Sequence, residues 1–130
     1  MDSKFCLQPR GDSFTRRSTF ECLLAGSIPV FFWHRSAYMQ YKWHLPEDES
    51  SYSVFISKDD MRNGTSIEDV LKSFPTEKVR SMRERVVEMV PRIVYALSGS
   101  SLKEEKDAFD VAIDGMMRKF KSELSWSVER

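Results

Sequence analysis

The chain has 130 residues, 20 Lys+Arg against 20 Asp+Glu, and 41% hydrophobic residues. Ordinary hydrophobicity at balanced charge excludes a disordered tail, and a net charge of zero excludes a globally basic nucleic-acid binder. The length suits one domain, or part of a larger one, with a core of its own.

The apolar stretch from Leu23 to Trp33 is broken by Gly26, Ser27 and Pro29. It is shorter than the about 20 apolar residues of a transmembrane helix. The first residues, MDSKFCLQPRGDS, lack the hydrophobic core of a signal peptide. No membrane entry is therefore expected of this chain by itself. Charge is unevenly spread: residues 1–45 hold six Lys/Arg and three Asp/Glu, and the rest hold fourteen against seventeen. A local anion site in the first third is open to consideration.

Phe5-Cys6-Leu7 reads as a short buried strand, stopped by Pro9 and Gly11. A loop, Gln8 to Ser13, follows. The pattern then predicts a helix from Ser18 to Ala25, with Ser18 as N-cap, Glu21 completing an S-x-x-E capping box and Gly26 past its end. Ile28-Pro29-Val30-Phe31-Phe32 reads as a second buried strand with proline at its entry. Strand, loop, helix and strand in so few residues form the βαβ unit of a parallel sheet.

Trp33 to Pro46 is rich in aromatics, read either as a rim packed on the core or as the lining of a site. Glu47 to Ser51 is polar and exposed. Tyr52 to Ile56 reads as a third strand, Asp60 to Thr65 as a turn, and Ser66 to Asp69 as the start of a short helix ending near Pro75. From Thr76, its expected cap, apolar residues recur at Val79, Met82, Val86, Met89, Val90, Ile93 and Leu97 with helical period. Pro91 is expected to kink or break that helix. Gly99-Ser100-Ser101 reads as a loop. Phe109, Ile113, Met116, Met117, Phe120 and Leu124 form a second helical stripe, with Met116 and Met117 read as core rather than as cofactor contacts.

Two cysteines, Cys6 and Cys22, suffice for one disulfide but for neither a framework nor a zinc site. His34 and His44 lie ten apart without Cys neighbours or HExxH spacing, so no metal site is expected. Chemistry concentrates in Gly11 to Ser18, between a strand and a helix start. Such a start offers unpaired N–H groups and a positive dipole end to a phosphate. Two arginines and three hydroxyls surround it, and Glu21 is placed to accept from sugar hydroxyls. The plainer reading is that Ser18 and Glu21 cap the helix while the arginines pair with acids such as Asp12. A P-loop is absent.

Phe5-Cys6-Leu7-Gln8-Pro9-x-Gly11-Asp12-Ser13-x-Thr15-Arg16-Arg17-Ser18-x-Phe20, followed by Ala25-Gly26-x-Ile28-Pro29-Val30-Phe31-Phe32, resembles the exostosin-type glycosyltransferase family. More narrowly, the chain is similar to its plant xyloglucan galactosyltransferase branch, the KATAMARI group. Ser36-Ala37-Tyr38-x-Gln40-Tyr41-x-Trp43-His44-Leu45-Pro46, Tyr52 to Ile56, Pro91-Arg92-Ile93-x-Tyr95-Ala96 and Lys106 to Ala112 carry the same resemblance.

The resemblance implies an α/β fold: residues 1–130 as the Rossmann-like C-terminal, UDP-sugar-binding lobe of a GT-B enzyme, a short parallel sheet flanked by helices. It implies a Golgi type II membrane protein, acting on the lumenal side, that transfers galactose or a related sugar from a UDP-sugar to a cell-wall polysaccharide with inversion. The membrane anchor, stem and acceptor lobe would lie upstream, making this chain a piece of a larger protein. Ser13, Thr15, Arg16, Arg17 and Ser18 would then face the donor pyrophosphate, Glu21 the ribose, and the loop from Trp33 to Tyr41 the transferred sugar. The family's usual Cys after Ala-Gly is Ser27 here, and Trp33-His34-Arg35 replaces a common His-Pro-Gly.

No DxD-type triplet is evident, and Asp59-Asp60 at a strand end reads as solvated. Arginines and a helix terminus can stabilise a UDP leaving group without metal, so neither metal nor other cofactor is expected. No general base stands out, and an acid from the absent lobe is the economical assignment. The alternative reading is a truncated, non-catalytic module that binds a nucleotide or a protein. Asn63-Gly64-Thr65 is an N-glycosylation tripeptide, usable only in a secretory lumen.

Overall fold

The computed structural model describes residues 3–97 and 105–128. The expected loop at Gly99 to Ser101 lies outside them. The chain divides into two compact units, Met1–Val90 and Pro91–Arg130. The first holds an α/β arrangement in the order β1 (Phe5–Gln8), α1 (Arg17–Leu24), β2 (Ile28–Phe31), β3 (Val54–Phe55), α2 (Lys58–Arg62), α3 (Ile67–Lys72) and α4 (Thr76–Met89).

The three strands form a parallel sheet in the order β1-β2-β3, with Phe5 opposite Ile28 and Val30 opposite Val54. β2 is central and wholly buried, which suits its unbroken apolar run. Its proline is tolerated for a positional reason. Ile28 N–H donates toward β1, to Lys4 O, and Phe31 O accepts from Ile56 N–H on the β3 side. Alternation turns Pro29 toward β3 as well, one residue before β3 begins to pair, so the missing donor breaks no ladder bond.

Side-chain alternation sets the layers. Ile28, Val30, Val54 and Ile56 meet Val79 and Met82 of α4, with Ile67, Val70 and Leu71 of α3 and Phe5 and Phe74 packed around them. Cys6, one residue after Phe5, faces the other side, where a disulfide joins it to Cys22 of α1 with the Cα atoms 6.2 Å apart. Both cysteines are thus consumed in stapling β1 to α1.

Helix ends depart from the sequence reading in three places. α1 starts at Arg17, and its N-cap is Arg16, not Ser18. Ser18 lies inside the helix with its hydroxyl on Gln8, and Glu21 pairs with Arg17, so the expected capping box does not form. The far end is as read: Gly26, at φ +66°, carries a Schellman pattern with Gly26 N–H to Leu23 O and Ser27 N–H to Cys22 O. Asp60 to Thr65 is not all turn, because Ser57 and Asp60 make a reciprocal capping box that nucleates α2. α4 is capped by Pro75 rather than Thr76, while Ser66 caps α3 through its hydroxyl.

β3 is shorter than the predicted Tyr52–Ile56, since Tyr52 and Ser53 close a 3-10 turn over Glu49–Ser51. Phe32 likewise falls just outside β2. The stripe Val79, Met82, Val86 and Met89 is buried as expected. At Pro91 the α-helix has already given way to a 3-10 turn, Val90–Ile93, because proline offers no N–H.

The second unit is built on α5 (Ala108–Val128). Asp107 caps it, accepting from Asp110 N–H at 3.0 Å and from Ala96 N–H at 2.9 Å, and these bonds hold its carboxyl below the usual range. The apolar stripe of α5 is not core: Phe109, Ile113, Met116, Met117, Phe120 and Leu124 are all exposed. Periodicity marked the face correctly but not its surroundings. Among the described residues no helix is long and apolar enough to cross a membrane.

The disulfide closes a loop of 16 residues, for which the chain-entropy account gives about 3 kcal/mol. The double variant Cys6→Ser/Cys22→Ser is expected to lose that much in urea unfolding. An unchanged midpoint would show that the staple adds nothing to the fold.

Candidate functional site

The C-terminal ends of β1 and β2 open onto two loops, residues 9–16 and 32–45. In an open parallel sheet this edge is where ligands are received. Its anchor is Gln8, the last residue of β1 and almost fully buried. The carboxamide accepts from Ser18 Oγ at 2.7 Å and Thr19 Oγ1 at 3.4 Å, and donates to Ser18 O at 3.3 Å. The strand end is thereby tied to the first turn of α1, and the intervening loop must fold out over the sheet edge.

Within that loop Ser13 Oγ donates to Thr15 O at 2.9 Å. Arg16 folds back so that Nη1 donates to Pro9 O at 2.9 Å. A Cβ at Gly11 would sit 2.9 Å from the same nitrogen, so a larger residue there would push the guanidinium off Pro9 O. Thr15 reaches across to the second loop. With its oxygen accepting from Thr15 Oγ1 at 3.1 Å, the Gln40 carboxamide donates to Phe14 O at 3.2 Å and Ser36 O at 3.1 Å. One side chain thus pins both loops together.

A second clasp is aromatic. Phe14 and Trp33 stack with centroids 4.7 Å apart. The Arg10 guanidinium lies 4.2 Å over Trp33, and that of Arg35 lies 5.6 Å over Phe14. Flanking cations on a π pair add attraction on the order of 0.5–1 kcal/mol each where exposed. Arg10 and Arg35, from different loops, are held by this ladder on one side of the site.

Ser13, Thr15 and Arg16 therefore share one loop, while Arg17 and Glu21 form an exposed i,i+4 ion pair at 2.8 Å along α1. Among the described ion pairs none joins Asp12 to an arginine. As N-cap, Arg16 has no acceptor to offer, and no side chain caps the helix. Thr19 N–H donates to Arg16 O at 3.2 Å, while the N–H groups of Arg17 and Ser18 have no partner among the described residues, the arrangement that favours negative charge at a helix start.

His34 and Glu49 meet at 3.1 Å on the neighbouring rim, with the imidazole edge-on to Phe55. Beneath, Tyr38 donates to Ser53 Oγ at 2.7 Å, since Ser53 itself donates to Glu49 O at 2.6 Å. Burial pushes the Tyr38 phenol up to about 12. Burial also raises that of Tyr52, whose hydroxyl has no hydrogen-bond partner. The aromatic stretch after Trp33 is thus rim and core at once: Tyr38 and Leu45 are buried, and Trp43 is partly exposed. Asp59 and Asp60 sit exposed at the start of α2, and Asp60 serves the capping box. Among the described residues no group of three His, Cys, Asp or Glu is placed to hold a metal ion.

Sequence reasoning missed Gln8 and the Phe14–Trp33 ladder. A lone polar residue ending an apolar strand was the signal for the first. Aromatic residues in two loops that follow adjacent parallel strands were the signal for the second. Gln8→Ala is expected to cost about 1–3 kcal/mol, the range for stranding buried hydrogen-bonding groups. Amide exchange should quicken at the hydrogen-bonded amides of α1, from Glu21 to Leu24, and not in α4. Equal quickening of both, or none, would remove Gln8 as the local anchor.

Residues 1–71 match the Exostosin GT47 domain. The chain is 61% identical over 127 residues to xyloglucan galactosyltransferase XLT2 of Arabidopsis thaliana, covering 97% of this chain and 25% of that protein. It is 52% identical to xyloglucan galactosyltransferase MUR3 and 54% to the probable xyloglucan galactosyltransferase GT19, both of Arabidopsis thaliana. These alignments cover 90% of this chain in each case, and 19% and 28% of the relatives. The chain thus spans about a quarter of the length of these relatives. No solved structure matches it. With the matching residues covering more than half its length, including the sheet edge and both loops, the chain belongs to the exostosin GT47 family.

Proposed function

We propose that this chain is the donor-binding part of a glycosyltransferase that moves a sugar, galactose by preference, from a UDP-sugar to a xyloglucan-type polysaccharide. The observation that carries the reading is the 61% identity to XLT2 over nearly the whole chain. The site geometry agrees with it. An uncapped helix start, Arg16, and the hydroxyls of Ser13 and Thr15 gather at the C-terminal edge of a parallel sheet. That is the chemistry a diphosphate needs.

In this reading residues 1–130 form the Rossmann-like C-terminal lobe of a GT-B enzyme. Ser13, Thr15, Arg16, Arg17 and Ser18 take the pyrophosphate, and Glu21 takes the ribose. Arg17 and Glu21 pair with each other at 2.8 Å on an exposed surface, a contact of small energy that yields readily to ligand. The loop from Trp33 to Tyr41 approaches the transferred sugar, and the stack of Phe14 on Trp33 fixes how far it extends.

The leaving UDP is stabilised by fixed donors rather than by metal. The base that activates the acceptor comes from a second lobe, which also supplies the acceptor groove. The lumenal side of the Golgi is the working compartment, and the Cys6–Cys22 disulfide supports it because such bonds persist in oxidising compartments.

Calorimetry on this chain is expected to show UDP binding that survives EDTA. Arg16→Ala should weaken it by about 1.5–3 kcal/mol, the scale of a hydrogen bond to a charged group. Absence of UDP heat, an unaltered variant or strict dependence on Mg²⁺ or Mn²⁺ would each overturn the assignment as written.

A second assay offers UDP-galactose and a xyloglucan oligosaccharide. The 130-residue chain alone is expected to transfer no sugar, because positioning of donor, acceptor and base supplies about 7–11 kcal/mol of such a barrier. Turnover by the chain alone would place the base within it, with Asp12, Glu21 and His34 first to be substituted.

A further inference from the structure

The turn between α2 and α3 carries a feature that the donor site does not use. Asn63-Gly64-Thr65 has the Asn-x-Thr pattern, with proline at neither Gly64 nor Ser66. All nine residues from Lys58 to Ser66 are exposed, and no residue of α2 is buried. The backbone is nevertheless fixed. Asn63 N–H donates to Asp59 O at 2.9 Å, Gly64 N–H to Met61 O at 3.2 Å and Thr65 N–H to Asp60 O at 3.0 Å.

The side chains of the tripeptide are left out of this network. Neither the Asn63 carboxamide nor the Thr65 hydroxyl bonds to any described residue. Gly64 stands at φ +88° with open space where a Cβ would be. A bulky group on Asn63 would therefore displace no packing, break no hydrogen bond and meet no wall.

We infer that Asn63 is an acceptor for an N-linked oligosaccharide. In the transfer, Asn63 Nδ2 bonds to the anomeric carbon of an oligosaccharide carried on a polyisoprenyl diphosphate. The anomeric C–O bond breaks, the lipid diphosphate leaves with the electron pair, and the amide gives up one proton. The glycan stands one short helix beyond the C-terminal edge of the sheet, since α2 follows β3 directly and rises about 1.5 Å per residue. It solvates an exposed surface that includes Met61. Its occurrence in the cell rests on the lumenal reading above.

The test supplies the compartment independently. The full chain is translated with microsomal membranes behind a cleavable signal peptide, and a C-terminal acceptor tag of known efficiency reports lumenal entry. Among tag-modified molecules, wild type is expected to show one further gel step, removed by peptide N-glycosidase F with conversion of the asparagine to aspartate at position 63. Asn63→Gln and Thr65→Ala should each lose that step and keep the tag's. Modification precedes folding, so a folding defect in either variant does not blur the result. Tag-modified wild type running level with Asn63→Gln overturns the proposal. UDP calorimetry on unmodified protein judges the donor site separately.

Discussion

The arrangement of the site depends on one buried polar contact, the carboxamide of Gln8 against the first turn of α1. Burying an amide is costly unless its hydrogen bonds are met. Here they are met by Ser18 and Thr19, whose positions are fixed in turn by the helix. The contact therefore specifies register: the strand must end at Gln8 and the helix must begin just before Ser18. The Cys6–Cys22 disulfide repeats the constraint two residues earlier on the strand and one helical turn further along. Between these ties the loop from Pro9 to Arg16 can only arch over the sheet edge.

The same contact explains why α1 starts without a side-chain cap. Ser18 is a good capping residue by type, and Ser18 to Glu21 has the capping-box spacing. Gln8 holds Ser18 as the second residue of the helix instead, so the cap position falls to Arg16. A helix start that forgoes a cap loses about 1 kcal/mol. What it retains is the N–H groups of Arg17 and Ser18, without a partner among the described residues. Departures from local preference at such a place are expected where a ligand is to be received.

This is also where the sequence was least legible. The β1-α1-β2 unit could be read because its signals are local: an apolar run, a turn, a helical pattern closed by Gly26, then a second apolar run. α2 was misread because Asp60, Asn63 and Gly64 weigh toward a turn, and the capping box from Ser57 to Asp60 went unread. The loop residues Ser13, Thr15 and Arg16 were named from sequence. The clasps that shape the loop, Gln40 on Thr15 and Trp33 on Phe14, join residues about twenty positions apart. No spacing rule reaches that far, and only the parallel pairing of β1 with β2 brings the two loops together.

The two long helices carry the lesson furthest. α4 and α5 each present an apolar stripe of helical period, and Met116 and Met117 on the second were expected to be core. On α4 the stripe closes over Ile28, Val30 and Val54, so period and burial agree. On α5 it is exposed, from Phe109 through Leu124. Burial of such side chains is worth about 1.5–3 kcal/mol each, and this chain's described structure leaves most of that unrealised along the helix. Hydrophobic period is a property of the helix alone, whereas burial needs a second surface.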